Sequence, residues 1–593
     1  MGARRGALLG LLVLAATFVA LARWTWGGWP DPLVDFGREL YVPWRLSAGA
    51  LLQRDIAWFS GPLSQHVNAF LFRIAGISLH TLVVANLLVL AALTLLWWQL
   101  LRGLAGTLAA TFAGVVLLAV FGFAQLVGIG NYNFVTPYSH EVTHGMLLAT
   151  GALACLRRFD ERREVPALLG AGLLLGLCVL TKVEVALAAL VAVGLWLTLI
   201  LRAPSAGGPT PKRSMDYFGV ALLAPLAWTL VQGALTLGAA RALESTFGGW
   251  LHALGGGAGE LAFYRAGMGL DAPAQRLGEL AWRGRWALLL APFAALAWRL
   301  RRGTEVAHAS CAAAALVVGA LLAWSFGSLQ GTGPARPLPL FALAIAAGAW
   351  FALRRAADEA EARRARALFA LAAFAFVLLG KMILNARVQH YGFALALPAT
   401  LLTIATTVGV LPAALERRGR AGWVLRMAAL VLFAGWTAAQ LRTTQSFLGR
   451  KVVTVGRGED AFQSDIRGQY VNEALEAFAA LAQPGHTLAV LPEGVMLNYL
   501  AESVNPTPFV NFMPPELLLF GEERILAAFE ATPPDWILLV HKDTSEYGYP
   551  LFGPDYGTQL ATWIRSEYAV VRQFAQTPLT PGTVFGIQLL KRR

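Results

Sequence analysis

The chain has 593 residues, of which 57% are hydrophobic and 14% charged, and its mean hydropathy is +0.57. A soluble protein of this size carries roughly a quarter charged residues, so the composition excludes a soluble globular domain and requires many membrane crossings. The net charge of +13 invites a nucleic-acid reading, which its distribution along the chain removes.

Met1 to Arg23 has the charge and apolar core of a signal peptide. Arg23-Trp24-Thr25-Trp26 lacks a small-residue cleavage pattern and more spans follow, so the segment is read as a retained first helix. Apolar runs near the length a bilayer demands, about 20 residues, follow at roughly 7–23, 80–101, 107–127, 143–156, 166–181, 185–201, 217–240, 286–298, 308–326, 337–353, 367–384, 393–413 and 423–440. The three cysteines, Cys155, Cys178 and Cys311, fall within such runs and read as small hydrophobes rather than disulfide partners or zinc ligands.

With the N-terminus in the cytoplasm, the inward loops 1–6, 102–106, 157–165, 202–216, 299–307, 354–366 and 414–426 hold 22 Lys and Arg against 9 Asp and Glu, an excess of 13. That is the whole basic excess of the chain, gathered on one side as positive-inside topology requires. The expected fold is therefore a polytopic α-helical membrane protein of about thirteen spans. Residues 1–441 form the membrane module and 442–593 a domain outside.

Residues 24–79 form the first outer loop. Leu40, Trp44, Leu46, Leu51 and Leu52, then Leu63, Val67, Phe70 and Leu71, recur at helical spacing, so this loop is expected to lie along the interface as amphipathic helices. It carries the acidic stretch Asp31-Pro32-Leu33-Val34-Asp35-Phe36-Gly37-Arg38-Glu39, with Arg54-Asp55 further on. Asp31 before Pro32 reads as a helix cap, whereas Asp35 has no such local task and is the candidate reactive carboxylate.

The next outer loop, 128–142, ends in His140 and Glu141, with His144 one turn on. Imidazole and carboxylate are metal ligands, but the spacing matches no metal motif, and ordinary loop residues are the simpler reading. Thr181-Lys182-Val183-Glu184 follows, where Lys182 and Glu184 either neutralise each other or serve the site, as ionisable groups at bundle ends do by default. Residues 241–285 form a second large outer loop whose glycine run at 255–259 lacks the strand and the Gly-Lys-Ser/Thr ending of a phosphate fingerprint. In the outward turn 381–393, Arg387, His390 and Tyr391 bring a cation, a titratable donor and an aromatic together. This is the strongest basic counterpart to the acidic loop.

From Arg442 the composition changes to prolines, balanced charge and strand-like runs at 487–491, 536–540 and 584–590. Helical patterns at 470–482, 515–531 and 557–568 lie between them, which predicts a small α/β domain. Glu493, Asn498, Asn511, Glu516, His541, Asp543, Glu546 and Tyr547 are its conspicuous polar positions.

Asp35-Phe36-Gly37-Arg38-Glu39-Leu40, followed by Gly49 and Arg54-Asp55, resembles the acidic first-loop motif of the GT-C superfamily of integral-membrane glycosyltransferases, in its aminoarabinose-transferase and protein O-mannosyltransferase branch. The aspartate-glutamate pair common there is absent, since Phe36 follows Asp35. The resemblance implies inverting transfer of a sugar from a polyprenyl-phosphate donor to a glycan, lipid or protein acceptor, at the outer face of a bacterial inner membrane. It implies Asp35 as base, with Asp55 or Glu141 assisting or holding a divalent metal. Arg387, Lys182 and His390, with Tyr391, would receive the donor phosphate, and His140, His144 and Glu184 would be further metal or acceptor contacts. A transporter or lipid-linked glycan flippase or ligase is the alternative; against the transporter, no internal repeat or broken-helix pair is evident.

Overall fold

The computed structural model describes residues 2–203, 208–255, 257–284, 289–301 and 333–593. A backbone in hydrocarbon must satisfy its own hydrogen bonds, and the apolar runs are accordingly helices. In chain order these are α1 (Gly2–Thr25), α2 (Phe36–Ser47), α3 (Leu63–Ala75), α4 (Leu79–Ala105), α5 (Thr107–Val116, continued by a π-helix at Leu117–Gly122), α6 (His140–Arg162), α7 (Val165–Val179), α8 (Val183–Arg202), α9 (Pro211–Leu237), α10 (Ala239–Gly255), α11 (Ala262–Met268), α12 (Pro273–Gly284) and α13 (Ala291–Arg299). Beyond residue 332 come long helical segments at Leu338–Arg354, Glu359–Leu378, Gly392–Arg417 and Gly422–Leu448.

Among the described residues, eight helices are long and apolar enough to cross a membrane. The sequence expects about thirteen. The difference lies in α5, α7 and α13, which are short, and in α6, which carries His140, Glu141 and His144 at one end and a charged run at the other. The remaining expected span, 308–326, lies outside the described residues, as does Cys311.

Two contacts show what holds the bundle. Gly172 and Gly176 on α7 form a small-xxx-small stripe against α9, where a Cβ would lie 2.6 Å from the Phe218 carbonyl oxygen and 2.2 Å from that of Leu222. Without a hydrophobic drive between helices in lipid, such backbone approach supplies the packing. At the end of the bundle away from the first loop, Arg366 of the helix Glu359–Leu378 makes a two-pronged bond to Asp160 of α6, at 2.8 and 3.1 Å, while Trp196 of α8 donates to the same carboxylate at 3.1 Å. Both charges are almost fully buried; Arg366 also holds Glu359 at 2.6 Å, so it is Asp160 that would be left without a cation if Arg366 were removed.

At the opposite end, the side the sequence expects to face outward, α2 and α3 pack on one another beside the helix ends. Main chain meets main chain at two glycines. A Cβ on Gly61 would fall 2.2 Å from the Leu180 carbonyl oxygen, and one on Gly37 2.3 Å from the Met496 nitrogen. The first contact seats the loop on the α7–α8 turn, and the second seats the outer domain on α2.

The outer domain follows the helix ending at Leu448. It holds a β1–β2 hairpin (Val453–Val455, Phe462–Ser464) and a four-stranded sheet in the order β3-β4-β6-β5 (Leu488–Leu491, Trp536–Val540, Gly586–Arg592, Tyr568–Ala575). β3 and β4 run parallel, and β6 is antiparallel to both of its neighbours. The expected helix 515–531 is two, Pro514–Phe520 and Glu522–Ala531, because Gly521 sits between them at φ 82°. Val490, Trp536 and Leu538 share one core with Leu33, Phe36 and Leu40 of the first loop.

The α7–α9 contact makes a direct prediction. Gly176→Leu must push the helices apart, costing about 1–3 kcal/mol, and is expected to lower the thermal unfolding midpoint of detergent-purified protein. The control is Gly219→Leu on α9, where a Cβ meets nothing within 4 Å and the midpoint should hold.

Candidate active site

The acidic stretch folds as a turn before α2. Asp31 accepts the backbone N–H groups of Leu33 and Val34, both at 3.0 Å, through one carboxylate oxygen, and Arg467 of the outer domain at 2.6 Å through the other. Asp31 thus caps a turn rather than the helix, which starts at Phe36. The Arg467 and Lys451 cations and the two N–H bonds outweigh burial and hold its carboxyl below the usual range.

Next the chain folds so tightly that Phe36 N–H bonds the Val34 carbonyl at 2.7 Å. Asp35 between them has φ 57° and ψ −64°, the rare positive-φ form of γ-turn. Such strain costs on the order of 1–3 kcal/mol and persists only where the surroundings impose it. Here Asn131 imposes it, donating to the Val34 carbonyl and accepting from the Asp31 N–H. Asp35 occupies the helix-cap position yet its side chain caps nothing, and among the described residues its carboxylate accepts no hydrogen bond. Burial, then the Glu493 carboxylate, push its carboxyl up to about 7, against the pull of Arg38 and Lys542.

One turn on, Glu39 is completely buried and anchors α2. Its Oε2 accepts from the Nδ1 and backbone N–H of His140, at 2.8 and 3.1 Å, and from Gln65 at 3.1 Å. The other ring nitrogen of His140 takes the Asn86 amide at 2.9 Å, which assigns its proton to Nδ1. Glu141 is likewise engaged, by Ser139 at 2.5 Å and Gln65 at 3.1 Å. His140 and Glu141 therefore lock α3, α4 and α6 to α2, a structural task the sequence did not assign them. The imidazole of His144 lies beside that of His140, ring centres 5.5 Å apart. Glu184 is held by Lys381 at 2.7 Å. Among the described residues no three His, Cys, Asp or Glu side chains converge as a metal site, and the groups around Asp35 alternate in sign. Asp55 is also spent: it binds Arg54 through both oxygens and closes its own turn on the Leu51 N–H at 2.8 Å.

The cations divide into used and unused. Lys381 is paired with Glu184 and lies 4.8 Å from the Tyr391 ring centre. Arg38 donates to the Tyr138 carbonyl at 3.2 Å and faces Glu39 at 3.6 Å. Lys182 and Arg387 have no carboxylate partner within bonding distance among the described residues; the nearest aromatic to Lys182 is the Tyr138 ring at 6.0 Å. Burial pulls both below their ordinary values. Two adjoining cavities receive them, one of about 300 Å³ lined by Arg387, Lys381, Tyr264, Phe263 and Tyr391, the other of about 480 Å³ lined by Lys182, Glu184, Lys381, Tyr264 and Glu516.

The His390 ring lies 4.1 Å from that of Tyr132, tilted by 33°, and 4.2 Å edge-on to that of Tyr391, and burial, then Arg387 and Lys381, push it down to about 3. It forms part of an aromatic wall, and its buried Nδ1 has no hydrogen-bond partner among the described residues. The Asp35 charge acts on the hydroxyls of Tyr132, Tyr138, Tyr264 and Tyr391, which form the rest of that wall.

The outer domain supplies a roof whose site role went unassigned in the sequence. Glu493 and Lys542 pair at 2.7 Å, and both face Asp35. Each lies two residues beyond the end of a strand, β3 and β4, and these strands are parallel neighbours. Crevices at the carboxyl ends of parallel strands are where such folds place ligands, a signal the sequence did carry. Tyr547 closes the roof 4.9 Å from Phe263.

No protein-family model matches the chain, and no curated protein sequence matches it. Solved structures with a similar course of chain include ArnT from Cupriavidus metallidurans bound to undecaprenyl phosphate, at 14% identity and TM-score 0.49, covering 97% of each chain. The archaeal oligosaccharyltransferase AglB from Archaeoglobus fulgidus, with an inhibitory peptide and a dolichol-phosphate, is similar over 98% of this chain and 74% of its own, at 12% identity and TM-score 0.48.

The strained turn predicts a trade between stability and function. Asp35→Gly relieves the positive φ and is expected to raise stability by about 1 kcal/mol, after allowing for the added freedom of glycine in the unfolded chain. Because the folded-state value of about 7 lies above the ordinary 3.8, Asp35 supports folding fully below that lower value and loses this support as the pH climbs to 7. Asp35→Asn should therefore gain on wild type between pH 4 and 7, as followed by thermal unfolding. A glycine variant that melts below wild type would refute the strain.

Proposed function

We propose that this protein is a membrane glycosyltransferase that moves a sugar from a polyprenyl-phosphate donor to an acceptor hydroxyl at the extracytoplasmic face. The observation that carries the reading is the unengaged carboxylate of Asp35, held on a strained turn in a wall of tyrosines, with unpaired Lys182 and Arg387 in the adjoining cavities. The first-loop resemblance supplies the donor class. The inward concentration of basic residues favours a cytoplasmic N-terminus and about thirteen spans in a bacterial inner membrane.

Asp35 takes the proton of the acceptor hydroxyl, whose oxygen attacks the anomeric carbon from the face opposite the phosphate. The bond from that carbon to the phosphate oxygen breaks, the configuration inverts, and the lipid phosphate leaves with the bonding pair. Arg387 and Lys182 meet the charge that develops on the phosphate, for which a guanidinium fork is well shaped. A base with a value near 7 is matched to work near neutral pH. The donor's tail stays in the bilayer, so no nucleotide-binding loop is needed. Asp55, bound to Arg54, has no part in this sequence of steps.

The test uses purified protein in lipid nanodiscs with radiolabelled polyprenyl-phosphate sugar and candidate acceptors. Asp35→Asn should lower kcat about 10²- to 10⁴-fold, and Arg387→Ala about 10²-fold. In wild type, kcat/KM should fall tenfold per unit below a pH of about 7, and Asp35→Asn should abolish that limb. Unchanged transfer by Asp35→Asn would remove the assignment. Label crossing sealed vesicles without transfer would favour the transporter reading.

A further inference from the structure

The cavity of about 480 Å³ has two unlike walls. One presents the Lys182 cation beside the Lys381–Glu184 ion pair. The opposite wall comes from the outer domain, where Glu516 stands on the helix Pro514–Phe520 with 8% of its surface exposed. Asn511 donates to its Oε1 at 2.9 Å and fixes the carboxyl plane, but Oε2 has no partner. A buried carboxylate oxygen without a donor is costly to leave so, and neither membrane packing nor the proposed reaction accounts for it. Burial pushes its carboxyl above the usual range, with Arg38 and Asn511 opposing.

We propose that Glu516 is a sugar-recognition residue, and that the outer domain thereby forms part of the donor site by accepting a hydrogen bond from a hydroxyl of the transferred sugar. A ligand that satisfies both walls must offer an anion to Lys182 and a hydrogen-bond donor to Glu516. A sugar phosphate ester offers both, with the phosphate at one end and hydroxyls at the other. Asn511 holds the acceptor in place, while Asp35, on a different element, keeps the chemistry. The inference rests on the glycosyltransferase reading and adds where selection of the sugar occurs.

The experiment compares binding of two probes to the full-length protein in nanodiscs: undecaprenyl phosphate alone, and undecaprenyl phosphate carrying a neutral hexose. Wild type should bind the hexose-linked probe more tightly. Glu516→Ala should weaken that probe about 10- to 100-fold, as expected for loss of a charge-assisted hydrogen bond, and leave the sugar-free probe unchanged. Glu516→Gln keeps the shape and one acceptor oxygen and should recover part of the loss. Equal weakening of both probes, or of neither, overturns the proposal, since a structural role moves both together. The same hexose with an ammonium in place of one hydroxyl is a third arm; if Glu516→Ala weakens only this probe, the site reads an amine and the hydroxyl assignment is wrong. If the binding pattern holds but wild type transfers no sugar to any acceptor, the transferase reading fails and the recognition site stands.

Discussion

The buried carboxylate of Glu39 is the interaction on which the outer face depends. Taking a carboxylate out of water is tolerable only where its lone pairs are filled. One oxygen of Glu39 takes three donors from His140 and Gln65, and the other faces Arg38. His140 in turn takes Asn86, so one charge binds α2, α3, α4 and α6 into a single orientation. α2 cannot rotate without breaking that network, and the turn that precedes α2 is carried with it. This is why a residue as conformationally ill-suited as Asp35 stays in place: the helix after it is fixed by Glu39, and the turn before it by Asp31 and Asn131.

Charge accounting sharpens the contrast between scaffold and site. Asp31, Glu39, Asp55, Asp160, Glu184 and Glu493 all have cationic or hydrogen-bonding partners. Asp35, Lys182 and Arg387 do not have such partners among the described residues, although each is at least partly buried. Proteins pair buried charges when stability alone is at stake, so unpaired Lys182 and Arg387 in two adjoining cavities, with Asp35 on the neighbouring turn, make this region the candidate for an incoming molecule. The aromatic ring of Tyr132, Tyr138, His390 and Tyr391 then serves as an insulating wall that keeps these charges strong.

The sequence made the membrane class, the helices of the first loop and three of the sheet strands legible, because each leaves a local pattern of hydropathy. That Asp35 caps nothing was also legible, since it is the acidic residue without a local task. What escaped was set by partners far away in the chain. Glu39 meets His140 across 101 positions and Asp31 meets Arg467 across 436, so no spacing rule distinguishes the structural His140 and Glu141 from ligands. His390 looked like a titratable donor because its burial among aromatics is invisible locally. β5 was missed for a different reason: it is an edge strand with a mostly exposed run, Val570 and Val571 included, and lacks the alternation by which strands are read.

The close approaches at Gly61 and Gly37 have a consequence for how such a protein changes over time. At Gly61 the loop that follows α2 rests on main-chain oxygens of the very turn that carries Lys182. That spacing is gauged by backbone against backbone, with no side chain between to be exchanged. Glu493, Glu516 and Lys542 belong instead to turns and a short helix of a separate sheet domain. Under the proposed function, a lineage could trade one substrate for another by rewriting that roof while the loop seating beneath is inherited unchanged.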